Sequence, residues 1–589
     1  MKKILIMVFL FCSSFTITNA QTTLPKYTGV FGKNELQHLL RRTMFGATRN
    51  DLKYFEGKPM DEVIDSLLNV PSSSPNPPLW NLQYDYGDST KFKTGKTWIG
   101  PNCESYWSES ILQYTVNYWW HGLMVEQKPN IQEKMVLFYE NFLPSNQYGN
   151  SNFRAFHYYN RVKLLHKYSI GNYKELMKTI TLDPIMLRYL SMNFSSCSSY
   201  YDNSKINPNE NFAREVQELY TVGKGKNNDE QLFTEDDVKA AAGVFSGWKI
   251  EEPYHYTALF VKGRHCQGKK KFSTLYNNTE IYSNKGYPLD GPEEIDQMYD
   301  MLFARKETSE NIVRKLYRYF VYAYISDDTE TNVIKPLAKV FRDNNFEIKP
   351  VLKAMLSSAH FYDKEQVGVM IKNPYDYAVG MMRMLELKIP EKDSLEILPK
   401  AKWDAFDQNN KNNYIALVHY RAYQAVYDYT FKCGMSVSNV PDVSGYPAYY
   451  QAPDYHHHWI NAESLRKRKE MVVGYSNLVV PIVNWRYNSV YPYSGVLGEF
   501  IQKTPNANKS AELVQHLIDT FLVQDLSVAE KDKLIKMLET TPTTPTTNTW
   551  TTRCNAFLNN PNSPNFSGVS GGLYKVFTTL FDYAEFQLM

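Results

Sequence analysis

Apolar positions recur at a helical period along most of the chain, and the clearest example covers residues 209–248. Four apolar residues of this stretch share one helical face: Phe212, Val216, Leu219 and Tyr220. Gly223 ends the predicted helix, and Thr234 begins a second one with an acidic first turn. Gly247 ends the second helix. The pattern therefore predicts two short helices joined by a polar loop.

The opposite face of the first of these helices is polar. It carries Asn211, Arg214, Glu215 and Glu218. Arg214 and Glu218 are four residues apart, so we predict an ion pair between them, worth about 0.3 kcal/mol if the helix face is exposed.

The same period predicts most of the remaining chain as helix. The main predicted helices are 104–126, 131–142, 153–168, 173–192, 309–324, 333–344, 348–358, 373–385 and 573–586. Residues 260–282 differ, because short apolar pieces alternate there with polar turns, as in a small β-hairpin. We therefore predict a mainly α fold: a large multi-helix body with a small β-hairpin element near 260–282.

The segment HLLRRTMFGAT predicts a helix, a glycine stop and a second helix. Gly46 ends the first helix, and Thr48 begins the next with a Thr-x-x-Asp pattern typical of a capping box. Arg41 and Arg42 fall on the polar side of the first helix. Two interpretations stay open: both arginines are solvated, or one pairs with a buried carboxylate.

Turn-rich and low-complexity stretches indicate where the body could be divided. Residues 540–549 read TTPTTPTTNT, a low-complexity linker. Residues 412–432 are aromatic and irregular, and 385–440 is the candidate place for a subdivision. No repeat of fixed period is present. We predict one large helical domain over residues 21–589.

The first twenty residues have the pattern of a secretory signal peptide. Lys2 and Lys3 precede an apolar run of eight residues, and Thr18-Asn19-Ala20 offers a cleavage site. No later stretch has about 18 uncharged apolar residues in a row, so no transmembrane segment is expected after cleavage. Loss of Lys2 and Lys3 leaves 63 basic against 62 acidic residues. This balance argues against nucleic acid as a partner, and we predict export to the periplasm or cell surface.

Five cysteines remain after the predicted cleavage: Cys103, Cys197, Cys266, Cys433 and Cys554. They are far apart and form no C-x-x-C pair, which argues against a zinc knuckle or a redox motif. Export permits disulfides, and an odd number leaves at least one thiol free. Zero bridges and one bridge both stay open.

Several blocks, in order along the chain, resemble one bacterial family, the domain of unknown function 1800. They are HLLRRTMFGAT, QEKMVLFYENF, NENFAREVQELYTVG, FTEDDVKAAAGVFSGW, GRHCQGKKKF, VPDVSGYP and AEFQLM. The resemblance covers nearly the whole chain after the signal peptide. It implies a large, mainly helical, exported protein with no assigned reaction and no known cofactor. It also implies a secreted sulfatase- or phosphatase-like partner, because genes for such proteins often lie beside genes of this family.

This chain departs from the family pattern in two places. Relatives usually carry a tryptophan and two histidines in the segment that is 139–142 here, where both histidines are missing. The family's Arg-His-Asp is Arg264-His265-Cys266 in this chain. If those groups bind a metal in relatives, several ligands are lost here.

The first candidate site combines the polar helix face with the Arg-His pair. Its members are Arg214, Glu215, Glu218, Arg264 and His265. A carboxylate beside a histidine can orient it as a general base, so this set would serve a metal-dependent or acid/base hydrolase. The alternative is a buried ion-pair network that fixes helix packing.

Two more candidates lie in the turn-rich stretch 446–459. His456 and His458 would share a side if the segment were extended, and with Asp454 they could bind zinc or copper. Tyr449, Tyr450 and Trp459 could stack on sugar rings, or they could pack locally over the helices. The leading hypothesis is an exported, envelope-associated helical protein that acts with a secreted partner. The hydrolase and a carbohydrate-binding protein are the alternatives.

Overall fold

The computed structural model describes residues 24–80, 97–99, 109–146, 154–199, 204–251, 257–386, 423–476, 495–540, 549–561 and 567–589. Several sequence predictions concern positions outside these ranges: the signal peptide (1–20), Cys103, residues 541–548 of the linker and most of the interval 385–440.

Helices dominate the described chain, which confirms the mainly α prediction. From the N-terminus they are Lys33–Thr43, Arg49–Phe55, Met60–Leu67, Glu109–Val125, Gln132–Phe142, Ala155–Lys167, Tyr173–Thr181, Pro184–Tyr189 and Asn211–Glu215. The middle of the chain adds Glu235–Val244, Asp290–Ala304, Lys306–Phe320, Asp327–Thr329, Lys335–Asp343, Ile348–Leu356 and Pro374–Met384. The remainder are 423–432, Ala462–Ser476, Gly495–Gln502, Ser510–Phe521, Val528–Glu539, Trp550–Asn559, Ser567–Asp582 and Ala584–Gln587.

The described β-strands are short and antiparallel. Trp248–Ile250 pairs with Ala258–Phe260, and Lys270–Lys271 pairs with Glu280–Ile281. The second pair lies within the predicted hairpin 260–282. The first begins earlier, because Gly247 adopts φ +86° and turns the chain directly from the preceding helix into a strand.

Helix starts follow the predicted caps. Thr48 accepts a hydrogen bond from Asp51 N, and the Asp51 carboxylate accepts one from Thr48 N, which completes the capping box. Thr234 and Asp237 form the same box. Asp237 also accepts from Ser273 N at 2.7 Å, so this cap anchors the β-hairpin region to the helix.

The structure differs from the predicted secondary structure in two segments, 173–192 and 423–432. The predicted helix 173–192 is two helices, because Pro184 has no N–H to continue the first one and instead occupies the first turn of the second. Residues 423–432 were predicted irregular but are helical, and the ring of Tyr423 packs against Gly122. Tertiary packing overrides the weak local pattern there.

The structure contradicts the interpretation that Arg41 and Arg42 are both solvated. Buried Asp376 attracts the Arg42 charge, but no described carboxylate forms an ion pair with Arg41 or Arg42. Arg42 is buried and donates to the carbonyl oxygens of Val321, at 3.1 Å, and Gln366, at 2.8 Å. Arg41 donates to the Leu522 carbonyl. The two guanidinium groups satisfy backbone acceptors of distant segments and so fasten the first helix to the rest of the core.

One large apolar core connects the N-terminal helices with the C-terminal ones, and a smaller cluster forms around Trp80, Trp98 and Tyr158. The last residues join the main core through Phe586 and Leu588, and Met589 N donates to the Met370 carbonyl at 2.9 Å. Among the described helices, none combines the length and apolar character needed to cross a bilayer.

Candidate functional site

Residues 139–142 hold the VPDVSGYP loop and the residues just before it. Ser438 N donates to Glu140 Oε1 at 3.1 Å, and Tyr446 N donates to Asn141 Oδ1 at 2.8 Å. Gly445 has φ +96° and lies against the Asn141 backbone. The two blocks, about 300 residues apart in the chain, therefore form one unit.

Beneath this unit lies a buried charge cluster. Arg161 donates to Asp183 Oδ2 at 2.7 Å and to Glu140 Oε2 at 3.4 Å. Glu140 also accepts from Ser145 Oγ at 2.8 Å. Burial raises the pKa of both Glu140 and Asp183, and the Arg161 charge opposes that rise. Glu140 therefore has an ion pair with Arg161 and supports the loop.

The polar helix face does not form the predicted ion pair. Arg214 donates to both oxygens of Glu235, at 2.8 and 2.6 Å, and Glu218 pairs with Lys224 at 2.5 Å. The helix also changes type here: Asn211–Glu215 is α-helical, but Val216–Tyr220 is a π-helix with i→i+5 hydrogen bonds. The predicted pair does not form because Arg214 and Glu218 each contact a closer partner outside this helix.

Glu215, at the junction of the two helix types, is the most unusual carboxyl group on this face. It is partly buried and makes no hydrogen bond or ion pair to the residues that the structure describes. Burial, then the charges of Glu218 and Asp442, raise the pKa of Glu215 to about 7, and Arg214 opposes the rise. A carboxyl group in this state can release or accept a proton at neutral pH.

Electrostatic interactions connect Glu215 with Asp442 and with two tyrosines. Burial and the charges of Asp442 and Glu215, among others, raise the pKa of Tyr189 to about 12. The Tyr220 hydroxyl is buried and hydrogen-bonds to no described group, while Tyr173 Oη donates to the Tyr220 carbonyl at 2.8 Å. We call Glu215, Asp442, Tyr189 and Tyr220 the Glu215 cluster. It runs from buried Tyr220 to exposed Asp442.

His265 lies in a separate, buried network. Its Nδ1 donates to the Ser246 carbonyl at 2.9 Å, and its Nε2 lies 3.1 Å from Glu294 Oε2. Lys270 Nζ approaches both oxygens of Glu294 at 2.7 and 2.6 Å. His265 is thus enclosed by its partners, as the alternative interpretation of a buried ion-pair network described.

Arg264 also has a structural partner, since it donates to the Asn193 carbonyl at 3.0 Å. In the described ranges, no hydrogen bond or ion pair connects Arg264 or His265 to Glu215 or Glu218. The first candidate set therefore splits into two groups of contacts.

Cys266 forms a disulfide with Cys197, and their Cα atoms are 5.1 Å apart. This resolves the open question in favour of one bridge, and the described free thiols, Cys433 and Cys554, are buried. The third residue of Arg264-His265-Cys266 therefore forms a covalent crosslink.

His456 and His458 lie in a 3₁₀-helix, Tyr455–Trp459, rather than in an extended segment. With three residues per turn, side chains two positions apart point in different directions. His456 is buried with a pKa lowered by burial to about 4, whereas His458 is exposed. Within the described residues, no group of three His, Cys, Asp or Glu side chains is arranged to hold a metal ion.

The aromatic loop packs mainly on the core. Trp459 is 5% exposed, and the Tyr449 ring centroid lies 5.9 Å from that of Trp459 and 5.3 Å from that of Tyr319. Tyr449 Oη accepts from Asn373 Nδ2 at 3.0 Å. Tyr450 is partly exposed, as Tyr449 is, but no ring contact of this kind is present for Tyr450 among the described residues. Tyr449 and Trp459 therefore pack locally over the helices, which was the alternative to stacking on sugar rings.

Sequence reasoning included Glu215 but missed Asp442 and Tyr189 as its neighbours. Asp442 lies in VPDVSGYP, one of the segments that carry the family resemblance. That resemblance could have marked Asp442 as a candidate site residue. The contact between the blocks is long-range, however, and no local pattern announces it.

A family model described as "Protein of unknown function (DUF1800)" matches residues 38–588. No curated protein and no solved structure matches the chain.

Proposed function

We propose that this chain, which belongs to the DUF1800 family, is an exported bacterial protein of the periplasm or cell surface that acts with a secreted partner. The Cys197–Cys266 disulfide supports the proposal of export, because such bonds form and persist in oxidising compartments outside the cytosol. The signal-peptide pattern of residues 1–20 agrees with it. A sulfatase- or phosphatase-like partner follows from the family resemblance.

Export is tested by fractionating cells that express the full chain, sequencing the N-terminus and labelling thiols with an alkylating reagent. We expect a mature chain that begins near Gln21, outside the cytosol, with Cys197 and Cys266 protected until a reductant is added. A full-length cytosolic chain with both thiols reactive would overturn the proposal.

The partner is tested separately by chemical crosslinking in the same cells. We expect the neighbouring secreted sulfatase- or phosphatase-like protein to be enriched over an unrelated exported control. Equal recovery of both would remove the partner and leave the export result standing.

An acid/base hydrolase is the second candidate, now centred on the Glu215 cluster. The observation that favours it is the partly buried Glu215 carboxyl, which lacks a partner among the described residues and has a pKa of about 7. Such a group can take a proton from an attacking water and return it to a leaving group. Arg264 and His265 no longer belong to this candidate, because their own partners hold them elsewhere.

The hydrolase is tested with phosphate, sulfate and carboxylate esters, with and without a metal chelator. Glu215→Gln is expected to abolish turnover. Glu218→Gln removes a charge that raises the pKa of Glu215, so turnover should remain while its pH midpoint moves to lower pH. If no ester is turned over, or if Glu215→Gln retains full activity, the hydrolase is abandoned. Loss of activity with the chelator would show that a metal takes part.

A further inference from the structure

A cavity of about 600 Å³ lies between the first helix, Lys33–Thr43, and two other segments, residues 362–368 and 515–525. Its volume falls in the range typical of small-molecule sites. None of its lining residues belongs to the Glu215 cluster. The cavity is therefore a separate place on the protein, and the proposed function makes no use of it.

Arg41 lines this cavity and has no negatively charged partner. Its side chain is half-buried, and its Nη2 donates to the Leu522 carbonyl oxygen. None of its nitrogen atoms is sealed from water without a partner, in contrast to Arg42 Nε, so Nε and Nη1 of Arg41 keep access to water. Burial lowers the pKa of Arg41 to about 10, and the group stays charged at neutral pH. In the described chain, no carboxylate forms an ion pair with it.

The carboxylates of the same wall already have partners. Asp519 pairs with Lys33 at 2.7 Å, and Asp525 pairs with Lys531 at 2.6 Å. Glu35 accepts a backbone N–H at the start of the first helix, at 3.0 Å. An anion beside the arginine would supply the missing counter-charge, but an anion with two charges would be repelled more strongly by these carboxylates.

The other basic side chains of the wall are either neutral, paired or hydrated. Burial, then the charge of Arg42, lowers the pKa of His38 to about 3, and its Nε2 lies 3.0 Å from the Phe361 carbonyl oxygen. The ring is therefore neutral at neutral pH. Lys364 is exposed, so its charge stays hydrated without a partner. Arg41 thus remains as a half-buried cation that lacks a counter-ion.

Apolar side chains form another part of the cavity surface. Val367 is 38% exposed, and Val523 is half-buried. The segments that carry them meet, since a Cβ atom on Gly368 would lie 3.1 Å from Val523 Cγ2. Leu522 and Tyr362 line the cavity as well. A ligand with an apolar body would remove this surface from water.

We propose that this cavity binds a small monocarboxylate with an apolar body, of the size of a medium-chain fatty acid. The carboxylate accepts hydrogen bonds from Nε and Nη1 of Arg41, and the apolar body lies against Val367 and Val523. A guanidinium group matches a carboxylate in planar geometry as well as in charge. Phosphate and sulfate match the charge too, but they have no apolar body and bring more negative charge toward Asp519 and Asp525.

The experiment uses the full mature chain and calorimetric titration. The probes are octanoate and phenylacetate, with their neutral amides, octanamide and phenylacetamide, as matched comparisons. Inorganic phosphate and sulfate test whether charge alone is enough. We expect at least one of the two acids to bind, and its amide to bind at least about tenfold more weakly. Phosphate and sulfate should also bind more weakly than that acid.

Two cavity variants and one control locate the binding. Arg41→Gln removes the charge but keeps an amide donor for the Leu522 carbonyl, and it should weaken binding of the acid at least about tenfold. Val367→Asp adds a negative charge at an exposed position of the cavity and should weaken binding at least about threefold. Arg466→Gln, at an exposed arginine paired with Glu463, should leave affinity unchanged. Thermal unfolding of each variant identifies any that fail to fold.

The proposal is overturned if the wild-type chain binds neither acid, or if an amide binds as tightly as its acid. Tighter binding of phosphate or sulfate than of both acids overturns it too. A folded Arg41→Gln variant with wild-type affinity, or an equal loss in Arg466→Gln, would show that Arg41 does not hold the ligand. If Arg41→Gln does not fold, unchanged affinity in Val367→Asp overturns the proposal.

Discussion

Gly445 packs directly on Asn141: a Cβ atom on Gly445 would lie 2.6 Å from the Asn141 carbonyl oxygen. The backbone of Gly445 is also left-handed, with φ +96°. The position therefore requires glycine for two separate reasons, conformation and space. Since Tyr446 N donates to the same asparagine, this contact sets where Asp442 stands relative to Glu215.

Alanine substitutions at two glycines separate these reasons. Gly434 also has positive φ, +89°, but nothing lies within 4 Å of a Cβ built there. Gly434→Ala should cost about 1 kcal/mol of unfolding free energy from backbone strain alone. Gly445→Ala should cost at least about 1 kcal/mol more, because the clash is added. Denaturant titration measures both, and equal costs would show that the loop moves away from Asn141 without penalty.

Removal of Arg161 should destabilise the fold strongly. Arg161 is 1% exposed and compensates Glu140 and Asp183, so Arg161→Met leaves two buried carboxyl groups without a cation. The expected loss is about 3–5 kcal/mol of unfolding free energy. Arg214→Met is the matched control, since its ion pair with Glu235 is solvent-accessible and should contribute little. A variant at 161 as stable as the one at 214 would contradict this account.

The sequence predicted those features that depend on near neighbours in the chain. The caps at Thr48 and Thr234, the predominance of helices and the hairpin near 270–281 all have a local period or a local signal. The proximity of Asp442 to Glu215 does not, because it depends on how a distant loop docks on Asn141.

Local spacing also misled at two pairs of side chains. The pair Arg214–Glu218 and the pair His456–His458 were both predicted from regular helix or strand periods. Arg214 and Glu218 each contact a closer partner instead, and a 3₁₀-helix turns the side chains of His456 and His458 in different directions. A cavity between the loop 71–79 and the helix Glu109–Val125 is lined by five separate segments of the chain, and no sequence pattern indicates it.

Reduction of the Cys197–Cys266 disulfide should lower stability by up to about 4 kcal/mol, as expected for a bridge that closes a loop of this length. The two cysteines are 69 residues apart in sequence. The measurement compares unfolding of the wild-type chain with and without reductant. A Cys197→Ala/Cys266→Ala variant is the control and should not respond to reductant. A wild-type chain that is equally stable under both conditions would show that the bridge does not constrain the unfolded state.

Lys372 places its Nζ 3.9 Å from the centroid of the Phe586 ring, in a side chain 4% exposed. Its Nζ makes no hydrogen bond to any group that the structure describes. Burial, then the charge of Arg41, lowers the pKa of Lys372 well below its usual value. Burial therefore favours the neutral amine in the folded protein, whereas the unfolded chain binds a proton at that position more readily.

Lys372→Met should consequently stabilise the protein, and by more at lower pH. Folding must expel a proton from the wild-type lysine below its usual pKa of about 10.4, so wild-type stability falls as pH falls. The advantage of the variant should grow by up to about 1.4 kcal/mol per pH unit, until the folded lysine also protonates. Urea titrations at about pH 9 and pH 6 measure this change. Lys432→Met, at an exposed lysine beside the Tyr429 ring, is the control and should show little pH dependence. An advantage that is the same at both pH values would mean that Lys372 is charged in the folded protein.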